Sequence, residues 1–211
     1  MRQLPAFPLS IIAFPGEEVN LHIFEPRYRQ LVQDLEENGN TFALVPILKD
    51  EVVSHATEMT LIRVEKKYED GKSDIVTKAV GLLSVEDLTK TFPDKLYPGA
   101  QVLNLPWDEE ADIGLNQQLI PLLEELYRLL AVENVPVESE LAFRTYQVAH
   151  KVGFSMKQEL EFLKISAEDE RQQYLLSHLE QFLPRVRQMV DLKNKAELNG
   201  HFKHIKPSDL P

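Results

Sequence analysis

An α+β fold, strand-rich first and helical after, is predicted by three observations in this 211-residue chain. Short apolar runs separated by Pro, Gly, Asn and Asp turns fill the sequence as far as Leu105, which is the pattern of successive strands. From Leu115 the apolar residues instead recur at i, i+3, i+4 and i+7, the period of helices. Between the two patterns lies PWDEEADIG, residues 106–114, acidic and without periodicity. It reads as a junction, so the chain divides into residues 1–107, a linker 108–114, helices over 115–199 and a tail 200–211.

The opening stretch is the most sharply punctuated. Residues 8–14 and 19–24 are apolar and flank Pro15-Gly16. Proline presets φ and glycine accepts φ > 0, so a tight reversal between two strands is expected there. Phe7, Leu9, Ile11, Val19, Leu21 and Ile23 alternate, and most should be buried. Glu25 precedes a proline and is driven to extended geometry, while Pro26 suits the first position of a helix. Tyr28, Leu31, Val32 and Leu35 then form one apolar stripe, and Asn38-Gly39 ends the helix.

Residues 41–48 (TFALVPIL) read as a buried strand, with Pro46 at an edge or a bulge. Residues 59–68 and 73–83 are joined by Glu69-Asp70-Gly71-Lys72, a hairpin signal, and Gly81 marks a bulge. Residues 100–105 follow Pro98-Gly99 as a further strand, so about six strands and one helix precede the junction, with antiparallel pairing. In the second part, Leu115, Leu119, Leu122, Leu123, Leu126 and Leu130 lie on one helix face. Pro121 falls in its first turn or kinks it. Residues 139–152 read as a second helix ended by Gly153. Ser155-x-x-Gln158 and Ser166-x-x-Asp169 have capping-box form, and the helix following the latter should kink at Pro184.

Composition narrows function. The net charge is −11; up to and including Asp108 there are 11 basic and 17 acidic residues, and after it 12 and 17. An acidic balance in both halves argues against a broad phosphate-tracking face, so nucleic acid is not the expected partner. Lys193, Lys195, Lys203 and Lys206, against Glu197, read as a solvated run. No stretch approaches the ~20 apolar residues of a membrane span, and nothing resembles a secretory leader. Cysteine is absent, which fits a reducing, cytoplasmic setting and removes thiolate metal sites.

FPLSIIAFPGEEVNLHIFEPRYRQL, residues 7–31, resembles the opening signature of the Lon substrate-binding domain, the N-terminal domain of ATP-dependent Lon proteases, which also occurs on its own. KQELEFLKISAEDERQQYLLSHLEQFL, residues 157–183, is similar to the family's helical segment. The resemblance covers about residues 3–190. It implies a PUA-like antiparallel β-barrel with one inserted helix, followed by an α-helical bundle. Its functional implication is a non-enzymatic protein that binds unfolded or hydrophobic polypeptide segments or a partner protein, or acts as an adaptor. One departure is Gly81-Leu82-Leu83-Ser84-Val85, where the family usually follows the glycine with a basic-aromatic cluster.

No G-x4-G-K-[ST] loop for nucleotide phosphates is present. Catalytic, cofactor and metal sites are not expected. Of the histidines only His201-x-x-His204 has metal-like spacing, without a clear third ligand. The candidate peptide-binding or structural signature is Phe14, Pro15, Phe24, Glu25, Arg27, Tyr28 and Trp107. For Glu25, Arg27 and Tyr28 the structural role is favoured: Arg27 pairs with a carboxylate and Tyr28 covers the core. The rival function is small-molecule or RNA binding through a PUA-like barrel.

Overall fold

A computed structural model describes residues 1–48, 51–52, 54–132 and 139–202, with backbone alone at 51, 52 and 197–202. The first half holds β1 (Arg2–Leu9), β2 (Glu18–Ile23), α1 (Pro26–Asn38), β3 (Thr41–Leu48), β4 (Glu51–Val52), β5 (His55–Lys67), β6 (Ser73–Thr89) and β7 (Gly99–Leu105). The second half holds α2 (Ile113–Leu129), a 3₁₀ segment (Thr145–Lys151), α3 (Met156–Leu163) and α4 (Glu168–Phe202). The fold is therefore α+β, and strand gives way to helix where the apolar period changes from two to 3.6.

The sheet is mixed. β1 runs antiparallel to β7 through residues 2–5, then parallel to β3 through residues 6–9. β7 pairs with β6, β6 with β5 and β5 with β3, all antiparallel, so the pairings return to β1. The parallel pair corrects the all-antiparallel expectation. Parallel neighbours need a crossover of a dozen residues or more, and residues 10–40 supply it, α1 included. β6 carries irregular register opposite Glu58 and Met59, beside Gly81, as that glycine suggested.

β1 and β2 do not pair with each other, so the expected opening hairpin is absent. The Pro15-Gly16 reversal is real: Gly16 has φ 89°, and the Glu17 amide donates to the Phe14 carbonyl at 3.0 Å. What differs is the stretch before it. Ile12, Ala13 and Phe14 are all buried in succession, which a strand with one solvated face does not allow. Side chains replace the ladder there: buried Thr57 donates its hydroxyl to the Ala13 carbonyl at 2.6 Å, and the Phe14 amide donates to Glu17 Oε2 at 3.0 Å. β1 consequently ends at Leu9. Phe7 and Ile23 are buried, Leu9, Val19 and Leu21 pack partly buried, and Ile11 is exposed.

α1 follows its sequence signals. Glu25 is extended, Pro26 opens the helix, and Gly39 closes it with φ 63°, its amide donating to the Leu35 carbonyl. Tyr28, Leu31, Val32 and Leu35 are buried against Phe7, Phe42, Leu44, Met59 and Ile75. Each such side chain contributes roughly 1.5–3 kcal/mol of burial. A second cluster of small residues, among them Ala6, Ala43, Ala56 and Ala100, fills the space where β1, β3, β5 and β7 approach.

In the second half, α2 buries Leu119, Leu123 and Leu126 and carries Pro121 in its body rather than its first turn. The expected helix over 139–152 is replaced by turns and the 3₁₀ segment. Phe143, Tyr146, Ala149 and Val152 are buried at strict steps of three, which is the 3₁₀ period. Ser155 caps α3 with the full box: its hydroxyl accepts from the Gln158 amide, and the Gln158 side chain returns to the Ser155 amide at 3.0 Å. Ser166 does not cap α4. Asp108 does, accepting from the Glu168 amide at 3.0 Å. α4 passes through Pro184 and continues to Phe202.

By packing, the chain forms two compact units. One contains residues 1–110 and 144–171; the other contains the described parts of 111–143 and of the chain from 172 onward. The second unit has a polar pin: Asn116, fully buried, donates to the carbonyls of Glu140 and Phe143 and accepts from Gln172, which also donates to the Asp112 carbonyl.

Candidate functional site

The candidate residues divide between two places in the first unit. Around the start of α1, Pro26 lets the chain turn sharply from β2 into the helix, and this leaves Phe24 projecting, 55% exposed. Arg29 fixes the corner, donating Nε to the Phe24 carbonyl and Nη1 to the Asp70 carbonyl, both at 2.8 Å. Glu25 and Arg27 pair at 2.7 Å on the surface, and the Arg27 guanidinium lies 4.6 Å from the centre of the Tyr28 ring. Tyr28 itself is buried and stacked on Phe7, ring centres 3.9 Å apart and planes 11° apart. Burial pushes its hydroxyl above the usual tyrosine range, with Arg27 opposing and Glu25 reinforcing. Tyr28 is thus packed into the core, while Glu25 and Arg27 pair at the surface above it.

Beside them runs an apolar cleft of about 120 Å³, lined by Phe7 and Leu9 of β1, Leu21, His22 and Ile23 of β2, Phe24, Glu25 and Tyr28. It exists because β1 and β2 do not pair. Among the described residues β2 bonds only to β6, so its other edge is unpaired. On the outward face His22 contacts Asp74 at 2.6 Å, and Tyr68 donates to the other Asp74 oxygen at 2.6 Å. The Tyr68 and His22 hydrogen bonds hold the Asp74 carboxyl below its usual range. A free strand edge, an apolar cleft and a projecting aromatic ring offer backbone hydrogen bonds and a side-chain pocket to an extended chain.

Phe14, Pro15 and Trp107 lie elsewhere. Phe14 is fully buried and stacked on Tyr146 at 5.1 Å, with Phe162 edge-on at 6.0 Å. Pro15 is buried, and half-buried Trp107 lies 6.3 Å from Tyr146. Behind Tyr146 stands Arg171, fully buried, its guanidinium 4.2 Å from the ring centre. Arg171 donates to Glu168 Oε2 at 2.9 Å, to the carbonyls of Ile165 and Ser166 at 2.8 Å, and to the Asp108 carbonyl. Glu168 also accepts from the Thr145 amide and hydroxyl. Burial pushes the Glu168 carboxyl up, and the Thr145 donors and Arg171 act against it. With this many hydrogen bonds the pair is a fastening, not a reactive centre. Glu168 and Arg171 share a helix face at i, i+3; nothing in the sequence links them to Thr145 or Asp108.

His150 is a third feature that the sequence did not single out. Its Nδ1 lies 2.7 Å from Glu159 and its Nε2 3.2 Å from Glu17, and Phe14 lies against its ring at 4.9 Å. The Glu159 and Glu17 hydrogen bonds outweigh burial and raise its pKa to about 9. Among the described residues no group of three His, Cys, Asp or Glu side chains could hold a metal ion, and no helix is long and apolar enough to cross a membrane. Lys203, His204, Lys206 and the side chain of His201 lie outside the described residues.

The model of the ATP-dependent protease La (LON) substrate-binding domain matches residues 3–181. The chain belongs to the Lon substrate-binding domain family. No ATPase or peptidase domain is matched, and no curated protein matches the chain. Among solved structures, the chain is similar to a Lon N-terminal domain protein from Xanthomonas campestris, with 23% identity and a TM-score of 0.64, covering 84% of this chain and 98% of that one. It is also similar to the N-terminal domain of a Mycobacterium avium complex Lon protease, with 17% identity and a TM-score of 0.64, covering 85% and 98%. At these identities the likeness speaks for the fold. The family supports a substrate-binding role in general terms, and the corner between β2 and α1 lies within the matched residues.

Proposed function

We propose that this chain is a non-enzymatic polypeptide-binding module, and that the unpaired edge of β2 is where an extended segment docks. The observation that carries the reading is that edge lying beside the cleft of Phe7, Leu9, Leu21 and Ile23, with Phe24 projecting at its rim. A bound strand would satisfy the edge amides and carbonyls while one apolar side chain enters the cleft. The closed round of strand pairings supports the finer reading of a PUA-like barrel, on which residues 1–107 carry recognition and the helices over 115–199 form a bundle. Adaptor action in the cytoplasm, delivering the captured segment to another protein, is part of the same proposal.

The test is fluorescence anisotropy with a labelled hydrophobic peptide, its N-methylated counterpart, and a labelled single-stranded RNA. Micromolar binding, roughly −8 kcal/mol, should survive moderate salt, because apolar burial is little screened. N-methylation should abolish it by removing the amides that strand addition uses. Equal binding of both peptides would overturn docking on the edge. Salt-sensitive RNA binding without a peptide signal would instead favour the rival PUA-like function.

A further inference from the structure

A second cavity in the first unit, of about 320 Å³, lies between the C-terminal half of α1, the start of β1 and the segment that leads into β7. That volume falls within the range of small-molecule sites. Its floor is apolar, with Leu4, Leu31 and Leu35 buried and Phe92 partly so. Its polar wall is a clasp. Asp34 Oδ1 accepts from Lys95 Nζ and Asp34 Oδ2 accepts from the Tyr97 hydroxyl, each at 2.8 Å, while Gln30 Oε1 accepts from the Leu96 amide at 2.8 Å. These contacts hold the segment on α1. They also occupy both oxygens of Asp34, the one carboxylate in the lining.

The donors are less fully used. Lys95 has three N–H groups and spends one on Asp34. The side-chain amides of Gln3 and Asn40 line the cavity and make no hydrogen bond among the described residues. Arg2, committed to Glu58 and Asn104, adds a second positive charge to the lining. In a chain of net charge −11, both cations of this cavity are paired, Lys95 with Asp34 and Arg2 with Glu58, so its charge is balanced rather than acidic and the unused N–H groups of Lys95, Gln3 and Asn40 remain for a ligand. The C-terminal end of α1, which would repel an anion, is partly capped: the Asn38 side chain donates to the Asp34 carbonyl and the Gly39 amide to the Leu35 carbonyl.

We infer that this cavity binds a carboxylate carried on a small apolar group, with Lys95 and Asn40 holding the carboxylate and Leu31, Leu35 and Phe92 enclosing the apolar part. Two sources share that chemistry: a free organic acid, and the C-terminal residue of a polypeptide that ends in an apolar side chain. The site is lined by different residues from the β2 cleft, so it stands or falls independently of strand docking.

The test is two-dimensional amide NMR of the full chain titrated with phenylacetate, phenylacetamide, and a peptide ending in Phe with a free or an amidated C-terminus. Phenylacetate should shift the amides of Asp34, Asn40, Lys95 and Tyr97 and bind about tenfold more tightly than phenylacetamide, as expected for one charge-assisted hydrogen bond. K95M should erase that preference, and N40A, which leaves the clasp intact, should reduce it. Both are checked for an unchanged fold by their remaining resonances. The free-ended peptide outcompeting phenylacetate would identify a chain terminus as the ligand; phenylacetate binding alone would identify a free acid. Equal affinity for acid and amide, shifts confined to other residues, or no shift at millimolar ligand would overturn the inference.

Discussion

Tyr28 and Arg27 are neighbours in the sequence signature with very different energetic roles. Tyr28 is buried and stacked on Phe7, so Y28A should cost about 3–5 kcal/mol by loss of burial and the cavity left behind. Arg27 pairs with Glu25 on the surface, and R27A should cost at most about 1 kcal/mol. Urea denaturation of the two variants separates them, and equal midpoints would contradict the structural role of Tyr28. His150 makes a prediction in pH. Its pKa is raised from the ordinary 6.5 to about 9 by Glu159 and Glu17. The stability it contributes is therefore complete below 6.5, declines as pH rises between those values, and is gone above about 9. Wild type should exceed H150Q in urea midpoint at pH 6 and match it at pH 10; a difference that does not change with pH would contradict the pairing of His150 with Glu17 and Glu159. At this scale the sequence was legible where partners are local, as for Glu25, Arg27 and the α1 stripe. The partners of Phe14, namely Tyr146 and Phe162, lie far along the chain, and no local pattern announces them.

Elements whose signals are short-range appear as read: the α1 ends, the hairpin at Gly71, the capping box of Ser155. Elements whose capping comes from a distance do not. Ser166 has the right spacing to cap α4, yet Asp108 takes the position, because Arg171 binds the Ser166 and Asp108 carbonyls and draws those segments together. The 3₁₀ segment has a residue-level signature, burial at steps of three through 143–152, which lies close enough to the 3.6-residue period to resemble an α-helix. Removing one partner of a buried ion pair leaves the other uncompensated. R171A should therefore destabilise by about 3–5 kcal/mol. The double variant E168M/R171M should recover part of that loss, since it strands no charge, but not all of it, because the Thr145 donors and the carbonyls of Ile165, Ser166 and Asp108 lose their partners. Thermal melting of the two variants checks this, and a double variant less stable than R171A would contradict it.

For the whole molecule, the α+β order was legible because the apolar period itself changes at the acidic junction. The mixed sheet was not, because the parallel β1–β3 pair depends on a crossover that also carries β2, and pairing between residues 37 apart, as Ala6 with Ala43, leaves no trace in alternation. That same crossover keeps β2 off the closed round of strands and frees its edge, so the feature proposed to bind polypeptide follows from the topology. Hydrogen exchange of the backbone amides, with and without a saturating hydrophobic peptide, locates such binding. Slowed exchange concentrated in residues 18–24 is the expected result. Peptide binding that leaves those amides unchanged and protects another surface would contradict docking on β2.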